Sequence, residues 1–170
     1  MSYICSTCGK EHQGLPTDWG FKLPDEVHEL GYIERYTRAR SNADLCTLDD
    51  RRYFVRGVLA VALTEQNDAF GWGVWVEVDR ATHDAYVRTF DDDDPNLPQC
   101  SGKLANTIPG YSETRDLPVN LRFQVSNSRP VVTFGPDVAH GLAHEQREGI
   151  SRKRHHDVLQ GLGFFDEADA

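Results

Sequence analysis

The sequence contains no run of about 20 consecutive apolar residues, the length of helix that crosses a bilayer. Its first residues, Met1 to Cys5, include neither the basic segment nor the apolar segment of a secretory signal peptide. Internal repeats and low-complexity segments are also absent. These absences argue against a helical membrane protein and against an exported protein, and they predict a cytoplasmic chain.

Positive charge is scarce, since 18 Lys and Arg stand against 27 Asp and Glu and give a formal net charge of -9. Such a balance argues against nucleic acid and anionic membrane as general partners. Hydrophobic residues make up 39% of the 170 residues, which is enough to form a core. The length predicts one domain over residues 1–170, with a short cysteine-containing segment, 1–16, packed on its body.

Motifs of the common catalytic classes are absent as well. The sequence has no G-x-S-x-G elbow, no P-loop and no G-x-G-x-x-G fingerprint. Gly71 and Gly73 flank Trp72 inside an alternating apolar run, not before a helix. No catalytic residue is therefore predicted, and the sequence leaves open whether the protein is an enzyme.

Cysteine is rare, with four residues in the chain, but two of them form a recognisable pair. Cys5 and Cys8 have C-x2-C spacing, and His12 follows shortly after them. A C-x2-C turn can place two thiolates about 2.3 Å from one tetrahedral ion, and cytosolic thiols stay reduced. The spacing favours a structural zinc ion bound by Cys5, Cys8 and His12, with Cys46 as the first choice for the fourth ligand.

Other interpretations of the cysteines stay open. Cys100 or His140 could replace Cys46 as the fourth ligand, or the cysteines could be unligated. Redox chemistry needs a C-x-x-C pair at the start of a helix, whereas a turn with Pro16 follows this pair. A fourth protein ligand would make the zinc structural, and three ligands would leave a position for a catalytic water.

Hydrophobic periodicity predicts an α+β fold with a mostly antiparallel sheet, an N-terminal zinc-knuckle-like segment and two C-terminal helices. Residues 52–63 and 70–78 are predicted to form a hairpin. Trp72 and Trp75 point to opposite faces of the second strand, so we expect one in the core and the other exposed as an anchor. Helices are predicted over 24–38, 79–90, 137–148 and 151–162, and further strands over 45–48, 103–108, 119–125 and 131–134. Val27, Leu30, Ile33 and Tyr36 recur at helical spacing in the first of these helices.

Two clusters near the C-terminus are further candidates for chemistry. His140, His144 and Glu148 fall on one helical face, where they could hold a metal, although an exposed polar face is the simpler interpretation. The basic run 152–156 would start a helix capped by Ser151, where the helix dipole disfavours positive charge. Glu145 and Glu148 are the expected counter-charges, and a phosphate-bearing ligand is the alternative.

Several blocks spread over nearly the whole chain occur in the order typical of one known family. They are Cys5-x-x-Cys8-Gly9-x-x-His12-x-Gly14-Leu15-Pro16, Asp44-Leu45-Cys46, Phe54-Val55-Arg56-Gly57, Trp72-Gly73-Val74-Trp75-Val76, Leu104 with Pro109-Gly110-Tyr111, and His140-x-Leu142-Ala143-x-Glu145-Gln146-Arg147-x-Gly149-Ile150. Together they resemble the bacterial domain of unknown function 2199. The resemblance implies a compact bacterial domain that begins with a cysteine knuckle, it favours Cys46 as the fourth ligand, and it implies no catalytic residues.

The functional prediction is therefore an uncharacterised bacterial protein that acts as a zinc-stapled interaction module and binds another protein. One alternative is a metal-dependent hydrolase with an open zinc site and Glu145 or Glu148 as general base. The other is a phosphate- or nucleotide-binding protein that uses the basic run 152–156.

We expect the untagged protein to contain about one zinc ion per chain, and Cys8→Ser to lose both the metal and stability, because binding of a structural zinc contributes to folding. Elemental analysis and chemical unfolding measure the two effects. Cys46→Ser should also lose or weaken the zinc if Cys46 is the fourth ligand. A stable, fully folded Cys8→Ser variant without metal would contradict the structural zinc.

Overall fold

The computed structural model describes residues 15–91, 97–124 and 128–165, together with the backbone of two short strands near the N-terminus. The strands are β1 (Tyr3–Ile4), β2 (Glu11–His12), β3 (Asp18–Gly20), β4 (Ala39–Ser41), β5 (Leu45–Leu48), β6 (Arg52–Leu63), β7 (Asp68–Val78), β8 (Cys100–Leu104), β9 (Pro118–Arg122) and β10 (Val131–Thr133). The helices are α1 (Asp25–His28), α2 (Tyr32–Arg38), α3 (Arg80–Thr89), α4 (Gly141–Glu148) and α5 (Arg152–Gly161).

Five of the strands close into a barrel. Antiparallel pairing runs from β6 through β7, β8 and β9 to β10, and β10 returns to β6 in parallel. β5 and β4 extend the sheet from the first half of β6, and β3 lies parallel beside β7. β1 and β2 form a separate antiparallel pair. The α+β class and the mostly antiparallel pairing are thus confirmed, with two parallel pairings added.

The β6–β7 hairpin is the longest paired unit and supplies much of the core. Its register runs from Tyr53↔Val78 to Leu63↔Asp68. Because side chains alternate between the two faces of a strand, one face of β7 points into the barrel. The five residues predicted to share that face are all buried: Phe70, Trp72, Val74, Val76 and Val78.

Both tryptophans of β7 are buried, so the prediction that one of them is exposed was wrong. Trp72 is 1% exposed inside the barrel and Trp75 is 0% exposed on its outer face. There Trp75 packs in a second apolar cluster with Cys46 and Phe54, and its Nε1 donates to the Phe21 carbonyl oxygen at 3.0 Å. The sheet is therefore covered on both faces in this region.

The helix boundaries are set by the capping residues more than by the spacing of apolar residues. The side chains of Asp79 and Ser151 cap α3 and α5, and the cap at Ser151 was predicted from the sequence. The predicted helix over 24–38 is two helices, because Gly31 is extended (ψ 163) and starts α2. The predicted helix over 137–148 begins at Gly141, because the side chain of His140 caps it. Among the described residues, no helix is long and apolar enough to span a bilayer.

Gly102 allows β8 to approach β7 closely. A Cβ atom at this position would lie 2.5 Å from the Glu77 carbonyl oxygen and 2.6 Å from Cγ1 of Val76. Real Cβ atoms do not approach a backbone atom so closely, and neither backbone can move without disturbing the barrel.

We expect Gly102→Ala to lower the free energy of unfolding by about 1–3 kcal/mol, the usual effect of forcing an extra methyl group into a packed region. Gly141→Ala is the matched control, since a Cβ atom there meets nothing within 4 Å. The control should be neutral or slightly stabilising, because alanine favours helix over glycine. Urea denaturation of both variants measures the difference, and equal stabilities would contradict the close approach.

Candidate functional site

The structure describes few of the predicted zinc ligands. Cys5 and Cys8 lie outside the described residues, and of His12 only the backbone is described, opposite Tyr3 in the β1–β2 pair. Cys46 lies in β5 and is 1% exposed. No group of three or more metal-ligating side chains occurs within the described ranges. Zinc at Cys5, Cys8, His12 and Cys46 stays a prediction.

Cys46 has apolar surroundings. Burial raises the pKa of its thiol to about 11, and its Sγ lies 3.9 Å from the Thr47 carbonyl oxygen. A thiol with this pKa is protonated at neutral pH and is therefore a poor nucleophile. An open cavity of about 390 Å³ lies beside β4 and β5, lined by Arg40, Asn42 and Asp50 as well as by Cys46.

The reserve ligands are placed apart from Cys46 in the fold. Cys100 starts β8 and is partly exposed. Both ring nitrogens of His140 are used, since Nδ1 accepts from a backbone N–H of α4 and Nε2 lies 3.1 Å from the Ser112 hydroxyl. His144 and Glu148 are exposed on α4. Of the three residues predicted to share a helical face, His140 thus caps α4, and His144 and Glu148 are exposed polar side chains.

Arg154, in the basic run at the start of α5, is bound within the protein. Its Nε donates to Glu145 at 2.7 Å, and its guanidinium lies 5.2 Å from the centre of the Tyr111 ring. The Tyr111 hydroxyl donates to the other oxygen of Glu145. Glu145 is thus the expected counter-charge, and each of its oxygens already accepts a hydrogen bond.

These contacts also change the acidity of the groups involved. Burial raises the pKa of the Tyr111 phenol above its usual range, and the hydrogen bond to Glu145 raises it further. Burial alone would lower the pKa of Arg154, but its interactions with Glu145 and Tyr111 together outweigh that effect and the pKa is raised. The three side chains join α4, α5 and the loop after β8 in one fixed charge arrangement.

Both histidines of the basic run are buried, and its two remaining cations lie at the surface. His155 and His156 are 0% and 2% exposed. Lys153 pairs with Asp157 at 3.1 Å on the surface of α5. Arg152 and Lys153 are therefore the cations of this run that face solvent.

Within the part of the chain that the structure describes, the most exposed large apolar side chains lie on α2. Tyr32, Ile33 and Tyr36 are 85%, 75% and 82% exposed. Their spacing places them on one side of the helix, and we call these three side chains the α2 patch. Helical periodicity does not reveal this surface, because Ile33 and Tyr36 fall on the same predicted stripe as Val27, which is 0% exposed.

Polar contacts hold α2 in place. No residue of this helix is buried. Arg35 donates to three backbone carbonyls at the end of α1, the shortest bond being 2.7 Å to His28, and Arg38 makes two 2.8 Å bonds to Asp49. An isolated helix of seven residues is not stable in water. These hydrogen bonds therefore stabilise α2 and fix its orientation, with the apolar side chains facing outward.

Comparison with known proteins identifies a family and no individual relative. A family described as an uncharacterized protein conserved in bacteria (DUF2199) matches residues 4–150. Neither a curated protein nor a solved structure matches the chain. The matched range contains α2 and ends just before α5.

We expect Tyr111→Phe to lower the free energy of unfolding by about 1–2 kcal/mol at neutral pH, because Glu145 loses one donor. The pKa of Tyr111 is higher in the folded protein than in the unfolded chain, where it is about 10. Above about pH 10 the phenol therefore ionises in the unfolded chain but not in the folded protein, and the wild type loses stability as pH rises. That alkaline loss should be shallower in Tyr111→Phe. Urea denaturation from pH 7 to 11 measures it, with the exposed Tyr32→Phe as control, and identical slopes for wild type and Tyr111→Phe would refute the assignment.

Proposed function

The chain belongs to the bacterial family DUF2199, which is uncharacterised, and we propose that it is an interaction module that binds another protein through the α2 patch. The observation that supports this proposal is a helix that buries none of its residues and directs three large apolar side chains outward. A zinc ion at the N-terminal cysteines would serve this module as a structural element.

An outward apolar side is unusual for a surface helix. Such helices normally turn their apolar stripe to the core and their charges to water. In α2 the orientation is reversed, since Arg35 points to the end of α1 and the α2 patch points to solvent. Exposed apolar groups arranged in this way mark interaction sites, because their burial against a partner is favourable.

The chemistry of the patch indicates the kind of partner. Tyr32 and Tyr36 are one helical turn apart, and Ile33 lies beside them, a spacing that fits an apolar groove on another protein. Tyrosine is enriched among residues that dominate binding energies. β4 follows α2 directly and is the last strand of the sheet order, so its outer edge and the cavity beside Arg40 can extend the contact.

The size of the patch favours a different protein over a second copy of this chain. With roughly 150–250 Å² for each aromatic side chain, the patch exposes on the order of 500 Å². A standard interface covers about 800 Å² on each partner, and permanent homodimers usually bury more. The α2 patch is therefore large enough for the centre of a specific interface but small for a permanent dimer.

The described residues do not favour either alternative from the sequence. Glu145, one of the two candidate bases, accepts from Arg154 and Tyr111. In the basic run 152–156, both histidines are buried. Glu148 and Arg152 are exposed, but exposure alone does not indicate a substrate site or a phosphate site.

We expect Tyr32→Ser and Tyr36→Ser to weaken partner binding by about 10- to 100-fold each, because truncation of a central interface residue typically has this effect. Serine and tyrosine have similar helix propensities, so both variants should keep the wild-type stability to within about 0.5 kcal/mol. A protein captured from a bacterial lysate would be identified by mass spectrometry, purified, and titrated against each variant by calorimetry.

Val87→Ser is the matched control, since Val87 is a 48% exposed apolar residue on α3, away from the patch. It should bind as the wild type does. Equal affinities of the wild type and both tyrosine variants for the purified partner would overturn the proposal. Sedimentation of the isolated protein provides a second criterion, because a dimer that Tyr36→Ser dissociates would mean that the patch binds a second copy.

A further inference from the structure

Arg56 is a partly buried cation that the described part of the protein leaves without a counter-charge. It lies in β6 opposite Trp75, on the outer face of the sheet. Its Nε is buried without a hydrogen-bond partner, and no carboxylate of the described residues lies within ion-pair distance of its guanidinium. Nη1 and Nη2 are not among the buried unpaired atoms, so they reach the surface. A guanidinium that is partly removed from water and has no acceptor is unfavourable.

The acidic side chain beside Arg56 is bonded to a different arginine. Asp44 accepts from Nε of Arg129 at 3.2 Å, whereas the hydrogen bond that joins Arg56 to Asp44 is a 3.0 Å bond between their backbones. Burial lowers the pKa of Arg56, the positive charge of Arg129 lowers it further, and Asp44 offsets these effects only in part. The two arginines and Asp44 together therefore carry one uncompensated positive charge.

Two glycines make room for the guanidinium of Arg56. A Cβ atom at Gly20 would lie 2.6 Å from its Nη2, and a Cβ atom at Gly73 would lie 3.3 Å from the same nitrogen. Gly20 of β3 pairs with Gly73 of β7, so the side chain of Arg56 extends from β6 across β7 towards β3. Its position depends on the absence of side chains at these two places. A guanidinium that is already oriented loses little freedom when it binds a ligand.

The outer face next to Arg56 bears only small side chains. The register of the hairpin places Val58 beside Gly73 and the exposed Ala60 beside Gly71. Sites for small molecules are clefts that enclose most of the ligand, whereas protein partners also bind to open surfaces. The open sheet face beside Arg56 therefore favours a protein over a small molecule as the source of the counter-charge.

We propose that Arg56 binds the side-chain carboxylate of an aspartate or a glutamate on the protein partner. The carboxylate accepts two parallel hydrogen bonds from Nη1 and Nη2, a geometry that guanidinium groups favour. It carries one negative charge and so matches the single uncompensated positive charge, which a phosphate group would exceed. The proposal rests on the proposed function because the partner is a protein, but it does not use the α2 patch.

Titration of the isolated protein with N-acetylglutamate α-amide tests the site without the partner, because this probe presents one glutamate side chain on a neutral backbone unit. NMR spectra follow the Nε–H signal of Arg56 and the backbone N–H signals of Gly20 and Gly73. We expect these signals to shift saturably, and added salt to weaken the binding, since salt screens an ion pair at the surface. The neutral isostere N-acetylglutamine amide should leave the signals unchanged.

Two variants and a matched control locate the binding group. Arg56→Met removes the charge, whereas Gly20→Ala keeps every charge and displaces the guanidinium through the contact with Nη2. Each should weaken binding of the glutamate probe by about tenfold or more, because charge-assisted hydrogen bonds are lost. The control, Arg122→Gln, alters an exposed arginine on the outer face of β9 and should bind as the wild type does.

Urea denaturation separates a binding role of Arg56 from a structural one. Arg56→Met keeps the apolar stem and removes a guanidinium that has no bonded partner among the described residues, so its midpoint should equal or exceed that of the wild type. A guanidinium that stabilises the fold would give a lower midpoint for this variant.

The proposal would be overturned if the wild type showed no saturable shifts, if the neutral amide shifted the signals equally, or if Arg56→Met bound the glutamate probe undiminished. Tighter binding of inorganic phosphate than of the glutamate probe would also overturn it, because the charge balance favours a carboxylate. Failure of the α2 patch is detected separately, by calorimetry of the tyrosine variants with the purified partner.

Discussion

The pairing of β6 with β7 is the constraint on which the rest of the structure depends. Its register places Trp72 inside the barrel and Trp75 on the outer face, and a shift of one residue would exchange the two faces. The other barrel strands, β3 and β5 all attach, directly or through a neighbour, to these two strands. Because both faces of β7 are buried, the hairpin is a rigid centre to which the peripheral elements are added.

The position of α2 follows from this arrangement. Trp75 and Phe54 belong to an outer apolar cluster that α1 joins through Val27, and the chain then continues into α2, which buries none of its residues. α2 is attached by Arg35 and Arg38 instead. The apolar side of α2 therefore stays at the surface, where the proposed partner would bind.

Sequence patterns predicted the elements that depend on local order. The hairpin, α3 and α5 follow from alternation and from capping by Asp79 and Ser151, both of which involve near neighbours in the chain. The single helix predicted over 24–38 failed because periodicity does not say which apolar residues find a partner. Within that helix Val27 is buried and Tyr36 is exposed, although both fit the same spacing.

The family, the α+β class and the spacing of Cys5, Cys8 and His12 could be predicted from residue order alone. Only the tertiary structure could decide the placement of Tyr36 and His155. A basic run suggests an exposed patch, yet His155 is buried against Pro16, 139 positions away in the chain. Burial and exposure are set by contacts between distant residues, and a pattern read along the chain does not contain those contacts.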